Sequence, residues 1–385
     1  MPFVCPCRVQ KGNHDSQFSI FNFQFIMKYS FIIPVYNRPD EVDELLDSLT
    51  RQAFDDFEVV IVEDGSAVKC DDVCAKYKDR LLLRYYYKEN SGPGMTRNYG
   101  AERAEGEYLI ILDSDVVLPE SYLKAVDEEL RREPCDAFGG ADASHPSFTP
   151  VQKAISYSMT SFFTTGGIRG GKKKLDKFYP RSYNMGVNRK VYLNMRGFSR
   201  MRFGEDVDFS YRLVENKYTT RLFPDAWVWH KRRTDFRKFF RQVFNSGIAR
   251  INLEKRHPGS MKLVHMLPMV FTVGVICCML FIIAGAGLYI WGKCFGASGM
   301  LLKDDMRQCV GFMLCMLGAM PLLFYSLLIF LDSTLRSHSV RVGLLSIPAA
   351  FTQLMGYGLG FIKAWWKRMV LKQDEFQAFE KTFYK

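Results

Sequence analysis

Three long runs without a charged residue constrain this chain more than any other feature. They cover residues 263–292, 308–331 and 342–362, and are 30, 24 and 21 residues long. About 20 apolar residues are enough for a helix to cross the hydrocarbon core of a bilayer. Buried helices of a soluble protein rarely supply three such runs in series. We therefore predict three transmembrane helices at these positions and exclude a purely soluble protein.

The third run is the least typical membrane segment, because it contains Pro348, Gln353 and four glycines. The stretch 231–262 holds ten Lys and Arg residues, and the positive-inside rule places such a stretch in the cytoplasm. Three complete spans would then put the C-terminal tail outside, although residues 363–372 carry four basic residues. Either the third run is re-entrant, or the first basic block alone sets the orientation. Both interpretations stay open at this point.

Residues 234–258, just before the first run, repeat apolar side chains at helical spacing, with basic side chains mostly on another face. This pattern is typical of an amphipathic helix that lies in the membrane interface. We predict such a helix, with an aromatic face for acyl chains. Packing of that face against the globular part is the alternative. The apolar positions are Phe236, Phe239, Phe240, Val243, Phe244, Ile248 and Ile251.

The two termini carry less information. Residues 1–26 lack a clean apolar core and a small-residue cleavage site, so they make a poor signal peptide. A strand pattern begins directly after Met27, and our hypothesis is that the chain starts there and that the preceding stretch is a doubtful extension. Residues 363–385 form a basic tail.

Residues 28–232 alternate predicted strands and helices, which indicates an α/β domain with a mostly parallel sheet. In such sheets ligands bind at the carboxyl ends of the strands. Polar side chains fall at those ends: Asn37 follows the first strand and Asp64 ends the second. The predicted strands are 29–36, 57–66, 81–90 and 107–115.

The sharpest local pattern is Asp113-Ser114-Asp115, two carboxylates that directly follow the apolar strand 108–112. Carboxylates beside apolar neighbours are costly unless a cation neutralises them. Mg²⁺ and Mn²⁺ are commonly held by one or two carboxylates together with substrate phosphates. A capped turn is the alternative, and the position of Asp64 after the second strand favours the metal site.

Two later segments carry further candidates. Glu205 and Asp206 begin a predicted helix, where acids are ordinary partners of the helix dipole but also serve as a general base when they face a cleft. His230 ends a short aromatic strand and heads a basic run. It is either a structural histidine, a third metal ligand or a phosphate contact. The Gly- and Lys-rich stretch 167–178 is equally compatible with a mobile lid and with a solvated loop.

Four segments in order, FIIPVYNRPD, VVIVEDGS, SGPGMTRNYGAERAEGEYLIILDSD and GEDVDFSYRL, resemble family 2 glycosyltransferases. The resemblance covers roughly residues 28–232 and implies the GT-A fold, a Rossmann-like nucleotide-sugar domain. By that resemblance, Pro34, Val35, Tyr36, Asn37 and Asp64 hold the nucleotide. Arg97 lies near the nucleotide or the sugar, and the D-x-D residues Asp113, Ser114 and Asp115 contact the donor. Asp113, Asp115 and His230 are the implied metal ligands, with Asp115 the direct one, and Asp206 is the implied catalytic base.

The resemblance implies an inverting, Mg²⁺- or Mn²⁺-dependent transfer from a UDP- or GDP-linked sugar. Processive family members carry Gln-x-x-Arg-Trp after the base, whereas this region offers only Gln242 and Arg250, so we expect transfer of one sugar. The hydrophobic part resembles membrane-anchored bacterial members. It suggests a lipid-linked or saccharide acceptor, a multi-pass inner membrane protein and a cytoplasmic catalytic domain in cell-envelope glycan synthesis.

Two other functions remain to be separated from this one. A polyprenyl-phosphate glycosyltransferase would use a phosphate acceptor and need no strong base. A non-catalytic membrane protein would only bind nucleotide-sugars. The formal net charge of +11 is compatible with nucleic acid, but the basic residues concentrate beside a predicted span, so we expect membrane lipids as partners and no nucleic acid.

Overall fold

The computed structural model describes residues 27–143, 145, 147–165, 178–201, 203–294 and 304–375. The doubtful extension 1–26 lies outside the described residues, and so does the candidate lid 167–178 except for Phe178. Within the described residues, the strands are β1 Tyr29–Val35, β2 Phe57–Asp64, β3 Leu83–Lys88, β4 Tyr108–Leu112, β5 Val116–Val117, β6 Ala137–Ala143, β7 Asn184–Asn188 and β8 Thr220–His230.

Helices alternate with these strands as the sequence predicts. Pro39 and Pro93 stand at the starts of two of them, where a missing backbone N–H costs nothing. The helices of this part are α1 Pro39–Leu49, α2 Asp71–Ala75, α3 Pro93–Arg103, α4 Tyr122–Arg132, α5 Pro150–Thr160, α6 Phe162–Thr165, α7 Arg189–Asn194 and α8 Glu205–Glu215.

The described strands form one sheet in the order β3-β2-β1-β4-β7-β6-β8-β5. β3, β2, β1 and β4 are parallel neighbours, and β7 and β5 run antiparallel to the strands they pair with. The predicted mostly parallel α/β sheet is confirmed. Because β1, β2 and β4 are adjacent and parallel, their carboxyl ends meet at one edge.

Both faces of the sheet are covered by helices, which explains why its central strands are apolar over most of their length. Alternate residues of β1 enter different cores: Phe31 and Ile33 pack towards α1, α2 and α4, while Ile32 packs towards α3, α7 and α8. Val59 and Val60 of β2 divide in the same way. This alternation fixes the register, since a slip of one residue would exchange the two faces.

Each predicted hydrophobic run lies within a single helix. Among the described residues, the three helices that contain these runs are long and apolar enough to cross a membrane. The helices that follow the sheet are α9 Phe236–Arg256, α10 Leu263–Cys294, α11 Asp304–Ser337 and α12 Val340–Trp365, and one π-helical turn covers Trp366–Val370.

The predicted amphipathic segment is helical as α9, but its apolar face is covered by protein. Phe239 and Val243 pack with Ile155 of α5, and Ile248 and Ile251 pack with Phe361 of α12. Phe239 and Val243 thus pack on the globular part, as the alternative interpretation expected, whereas Ile248 and Ile251 pack on α12. These four side chains are not available to acyl chains, and the position of the helix in the membrane interface stays a prediction.

The glycines that weaken the third run are sites of close helix packing. A Cβ atom on Gly360 would lie 2.0 Å from the backbone oxygen of Phe244 in α9. A Cβ atom on Gly358 would lie 2.4 Å from the backbone oxygen of Pro268 in α10. Only glycine allows these backbones to approach so closely.

We expect Gly360→Ala to lower the free energy of unfolding by about 1–3 kcal/mol, the usual cost of overpacking. The matched control is Gly287→Ala in α10, where a Cβ atom meets nothing within 4 Å. The control should be as stable as the unmodified protein or slightly more stable, because alanine favours a helix. Thermal unfolding in detergent measures both, and equal midpoints for the two variants would contradict the packing.

Candidate active site

Polar side chains from three strands meet at the carboxyl edge of the sheet. Asn37 follows β1, Asp64 ends β2, and Asp113 follows β4 directly. Asn37 has a positive φ of 53°, and its side-chain oxygen accepts the backbone N–H groups of Ala67 and Val68 at 2.8 and 3.0 Å. Asn37 therefore ties the loop after β1 to the loop after β2.

Strand pairing brings His230 to the two aspartates. β5 comes directly after Asp115, and its Val116 pairs with His230 at the end of β8. The His230 Nε2 atom lies 3.2 Å from Asp115 Oδ1 and 4.0 Å from Asp113 Oδ2. One ligand atom from each of these three residues lies within 4.8 Å of the others.

These residues fit a divalent cation. Asp115 Oδ1 is buried, and in spite of its short distance to His230 it has no hydrogen-bond partner among the described residues. A buried carboxylate oxygen without a partner is costly, and a cation would satisfy it. Two carboxylates and one imidazole supply the hard donors that Mg²⁺ and Mn²⁺ accept. Asp113, Asp115 and His230 would hold the ion.

Positive charges stabilise the ionised form of Asp115. Burial alone would raise the pKa of this carboxyl, but His230, Arg38 and Arg233 outweigh that effect and lower it. Arg38 Nη1 lies 3.0 Å from Asp115 Oδ2, so one carboxylate oxygen is paired and the other faces His230. The carboxylate is therefore charged at neutral pH, as a metal ligand must be.

Arg97 of α3 joins the metal cluster to the start of α8. Its guanidinium lies 2.6 Å from Asp113 Oδ1 and 3.0 Å from Glu205 Oε1, and its side chain is 5% exposed. Burial raises the pKa of Glu205 to about 7, against the lowering effect of Arg97 and with a further raising effect from Asp206. Arg97 was expected near the nucleotide or the sugar, and here it orients two acids.

Asp206 is held ionised by a residue that the sequence did not reveal. Arg181 Nε donates a hydrogen bond of 2.7 Å to Asp206 Oδ2, and the N–H of Val207 donates to Oδ1 at 2.9 Å. Burial would raise the pKa of Asp206, but Arg181 and Arg97 outweigh it and lower the pKa. A carboxylate at a helix start with a lowered pKa is a base that is already deprotonated at neutral pH.

We expect Arg181→Gln to move the acidic limb of the pH–rate profile of the expected sugar transfer to higher pH. Loss of the neighbouring cation raises the pKa of Asp206, so the carboxylate takes up a proton at a pH where the unmodified protein keeps it ionised. At higher pH the rate of the Arg181→Gln variant should approach that of the unmodified protein. Initial rates between pH 5 and 9 measure the effect, and the matched control is Arg200→Gln, an exposed arginine. Superimposable profiles for both variants would contradict this role.

The predicted nucleotide contacts lie together, although several have protein partners. The Asp64 carboxylate accepts Lys88 Nζ at 2.6 Å and the N–H groups of Ser91 and Gly92 at 2.8 and 3.0 Å. It therefore shapes the loop before α3. Val35 is 1% exposed as a whole residue, so it offers a ligand almost no surface.

Pro34 and Tyr36 are half-buried on either side of Val35, and Ser114 is buried between the two aspartates. Their contacts with a nucleotide stay predictions. Arg38, Arg181 and Asp142 are polar residues of the site that sequence reasoning missed. Asp142 Oδ2 pairs with Arg232 and lies 3.9 Å from His230 Nδ1. Arg38 lies within the segment FIIPVYNRPD but was not singled out there. Arg181 and Asp142 lie outside the four segments, where a lone Arg or Asp carries no signal in a single sequence.

The pattern described as "Glycosyl transferase family 2" matches residues 30–194, which include β1 to β4 and the D-x-D residues. The resemblance to family 2 glycosyltransferases found in the sequence is thereby confirmed for residues 30–194. The matched range ends before Asp206 and His230, so the roles of these two residues rest on geometry alone.

Two relatives with named activities are similar to part of this chain. Poly(ribitol-phosphate) beta-N-acetylglucosaminyltransferase TarS of Staphylococcus aureus is 39% identical over 103 residues, 26% of this chain and 18% of TarS. Validoxylamine A glucosyltransferase of Streptomyces hygroscopicus subsp. jinggangensis is 40% identical over 101 residues, 25% of this chain and 24% of the relative. The match thus spans less than a quarter of either relative.

A solved structure shares the fold over most of the chain. Mannosyltransferase PcManGT from Pyrobaculum calidifontis, solved with GDP-Man and Mn²⁺, has a TM-score of 0.53 at 14% sequence identity. The similarity covers 89% of this chain and 88% of the other. The GT-A fold predicted for this chain is confirmed.

Proposed function

We propose that this protein is an inverting, metal-dependent glycosyltransferase that moves one sugar from a nucleotide-sugar to a hydroxyl of a lipid-linked acceptor. The proposal rests mainly on Arg97, whose guanidinium pairs with Asp113 on one side and with Glu205 on the other. Asp113, Asp115 and His230 form the cation site, and Asp206, adjacent to Glu205, is an ionised base. The similar mannosyltransferase was solved with a nucleotide-sugar and Mn²⁺, which supports the same ligand classes here.

Each residue of the site would have a separate role in the transfer. A cation held by Asp113, Asp115 and His230 would neutralise the charge that develops on the departing diphosphate. Asp206 would accept the proton of the acceptor hydroxyl as the hydroxyl oxygen attacks the anomeric carbon. Arg181 keeps Asp206 ionised beforehand, and Arg97 orients Asp113 relative to Glu205. Attack opposite the diphosphate inverts the anomeric configuration.

The membrane part supports a lipid-linked acceptor at the cytoplasmic face. α5 and α9 pack directly on α12, so the glycosyltransferase domain is attached to the apolar helices along an extended contact. A diffusing lipid substrate would therefore arrive beside the cleft. We place the protein in the inner membrane with the glycosyltransferase domain in the cytoplasm, because the segment 231–262 is basic.

The test is transfer by the purified full chain in detergent, with UDP- and GDP-sugars, Mn²⁺ or Mg²⁺, and a lipid extract. We expect one donor to be turned over, EDTA to abolish turnover, and added Mn²⁺ or Mg²⁺ to restore it. Turnover that is unchanged by EDTA would contradict the metal requirement. A glycosyl-phosphate lipid product instead of a glycoside would favour a polyprenyl-phosphate glycosyltransferase. Donor binding without any transfer would favour a non-catalytic binding protein.

A further inference from the structure

α10 and α11 form an antiparallel hairpin whose two ends can be recognised by their contacts. The rings of Phe271 in α10 and Tyr325 in α11 lie 5.0 Å apart, near the start of α10 and towards the end of α11. Further along, a Cβ atom on Gly285 would lie 2.5 Å from the backbone oxygen of Gly311. We call the end formed by the start of α10 and the end of α11 the base, and the opposite end the tip.

α12 begins at the base. It follows the last residues of α11, and the hydroxyls of Ser333 in α11 and Ser346 in α12 are 2.7 Å apart. A Cβ atom on Gly343 would lie 1.9 Å from the Thr334 hydroxyl oxygen. The first turns of α12 therefore pack against the last turns of α11.

α12 also ends at the base. Gly358 packs against Pro268 and Thr272, which lie in the first turns of α10. Beyond the helix, Lys255 Nζ of α9 donates to the backbone oxygen of Arg368 at 3.2 Å, and Arg256 pairs with Glu375 at 2.9 Å. Lys255 and Arg256 precede the start of α10 by only a few residues, so the tail lies at the end where α10 begins.

A helix with both ends at the base cannot also reach the tip. We infer that, of the three long apolar helices in the described residues, α10 and α11 cross the bilayer, and that α12 lies along the membrane surface between this hairpin and the glycosyltransferase domain. Burial supports the inference, because 44% of the most apolar stretch of α12 is buried in protein, compared with 11% for α10 and for α11. The helix is about 39 Å long at 1.5 Å per residue, and it packs on α5 and α9 as well as on the hairpin.

The end of α12 carries a surface suited to the interfacial layer of a bilayer. Large apolar side chains there are exposed among basic ones, and tryptophan with lysine or arginine is the composition that membrane interfaces favour. The exposed apolar residues are Trp365, Trp366, Met369, Val370 and Leu371, with exposures between 44% and 54%. We call these five residues the interfacial patch. Its partner is the headgroup region on the same side as the glycosyltransferase domain.

This arrangement removes the conflict between the two basic segments. With an even number of crossings, residues 231–262 and residues 363–372 lie on one side of the membrane, as the positive-inside rule requires of both. This inference is closer to the re-entrant interpretation of the third run than to a third full span.

Cysteine labelling in sealed vesicles tests the topology without depending on activity. Three variants of the full chain each add one exposed cysteine: Lys124→Cys in α4, Lys293→Cys at the tip and Asp374→Cys in the tail. A membrane-impermeant maleimide is applied to inside-out and to right-side-out vesicles of the expression host. For each variant, we measure the amount of bound label that exceeds the amount on the unmodified chain.

We expect Asp374→Cys and Lys124→Cys to be labelled from the same side and Lys293→Cys from the opposite side. Labelling of Asp374→Cys together with Lys293→Cys would show that α12 crosses the membrane and would overturn the inference. Labelling of all three positions from one side would overturn it as well, because the hairpin would then not cross. Neither result bears on the proposed glycosyl transfer.

Discussion

Asp206→Asn should lower the rate of transfer about 10³-fold, within the range of roughly 10²–10⁴ that general-base catalysis supplies. The substitution keeps the shape of the side chain and an oxygen that can accept from Arg181, but it removes the atom that takes the proton. Donor binding should change little, because Asp206 pairs with Arg181 and not with the cation cluster. Initial rates and donor affinity, measured separately, check both statements.

The matched control is Asp225→Asn, an exposed aspartate in β8. It should transfer at the rate of the unmodified protein. Normal transfer by Asp206→Asn would remove Asp206 as the base. A phosphate acceptor would then become the better interpretation, since a phosphate is already ionised and needs no strong base.

Asp115→Asn should abolish metal binding and reduce transfer by about 10³-fold or more. A bound metal stabilises a developing charge by several kcal/mol, and each 1.36 kcal/mol is a factor of ten in rate. The amide leaves one fewer anionic ligand opposite His230 and also weakens the contact with Arg38. Mn²⁺ binding, followed by titration calorimetry or by electron paramagnetic resonance, gives a readout that is independent of turnover.

Glu120→Gln is the control for this variant, because Glu120 is an exposed acid five residues further along the chain. It should bind Mn²⁺ normally. Thermal unfolding in the absence of metal should be measured for both variants, to separate loss of the ligand from loss of the fold. A variant Asp115→Asn that is folded, binds Mn²⁺ and transfers at the normal rate would contradict the assignment of the metal site.

Much of the fold could be predicted because it depends on local patterns. Apolar runs such as 59–62 form strands buried on both faces, and prolines at positions 39 and 93 mark helix starts. The carboxyl edge followed from the alternation of strands and helices, and it placed Asp64, Asp113 and Asp115 in one region. The long uncharged runs gave helices for the same reason.

The partners of each site residue depended on contacts between distant segments. Arg181 reaches Asp206 across 25 residues, and Arg38 reaches Asp115 across 77. In the sequence, His230 was as compatible with a structural histidine as with a metal ligand or a phosphate contact. The pairing of Val116 with His230 brought its ring to the aspartates. Such pairings between distant segments cannot be predicted from the local periodicity of the sequence.

The membrane part shows the same division between sequence and structure. The length and the lack of charge of each run determined that α10, α11 and α12 are helices with apolar surfaces, because these are properties of a segment by itself. Only the tertiary structure decided that the glycines of α12 face α9 and α10, and that α12 begins and ends at one end of the hairpin. The hydropathy of a helix indicates whether it can be buried in an apolar environment, either lipid or protein. The neighbours that actually bury it are determined by the packing of the whole chain.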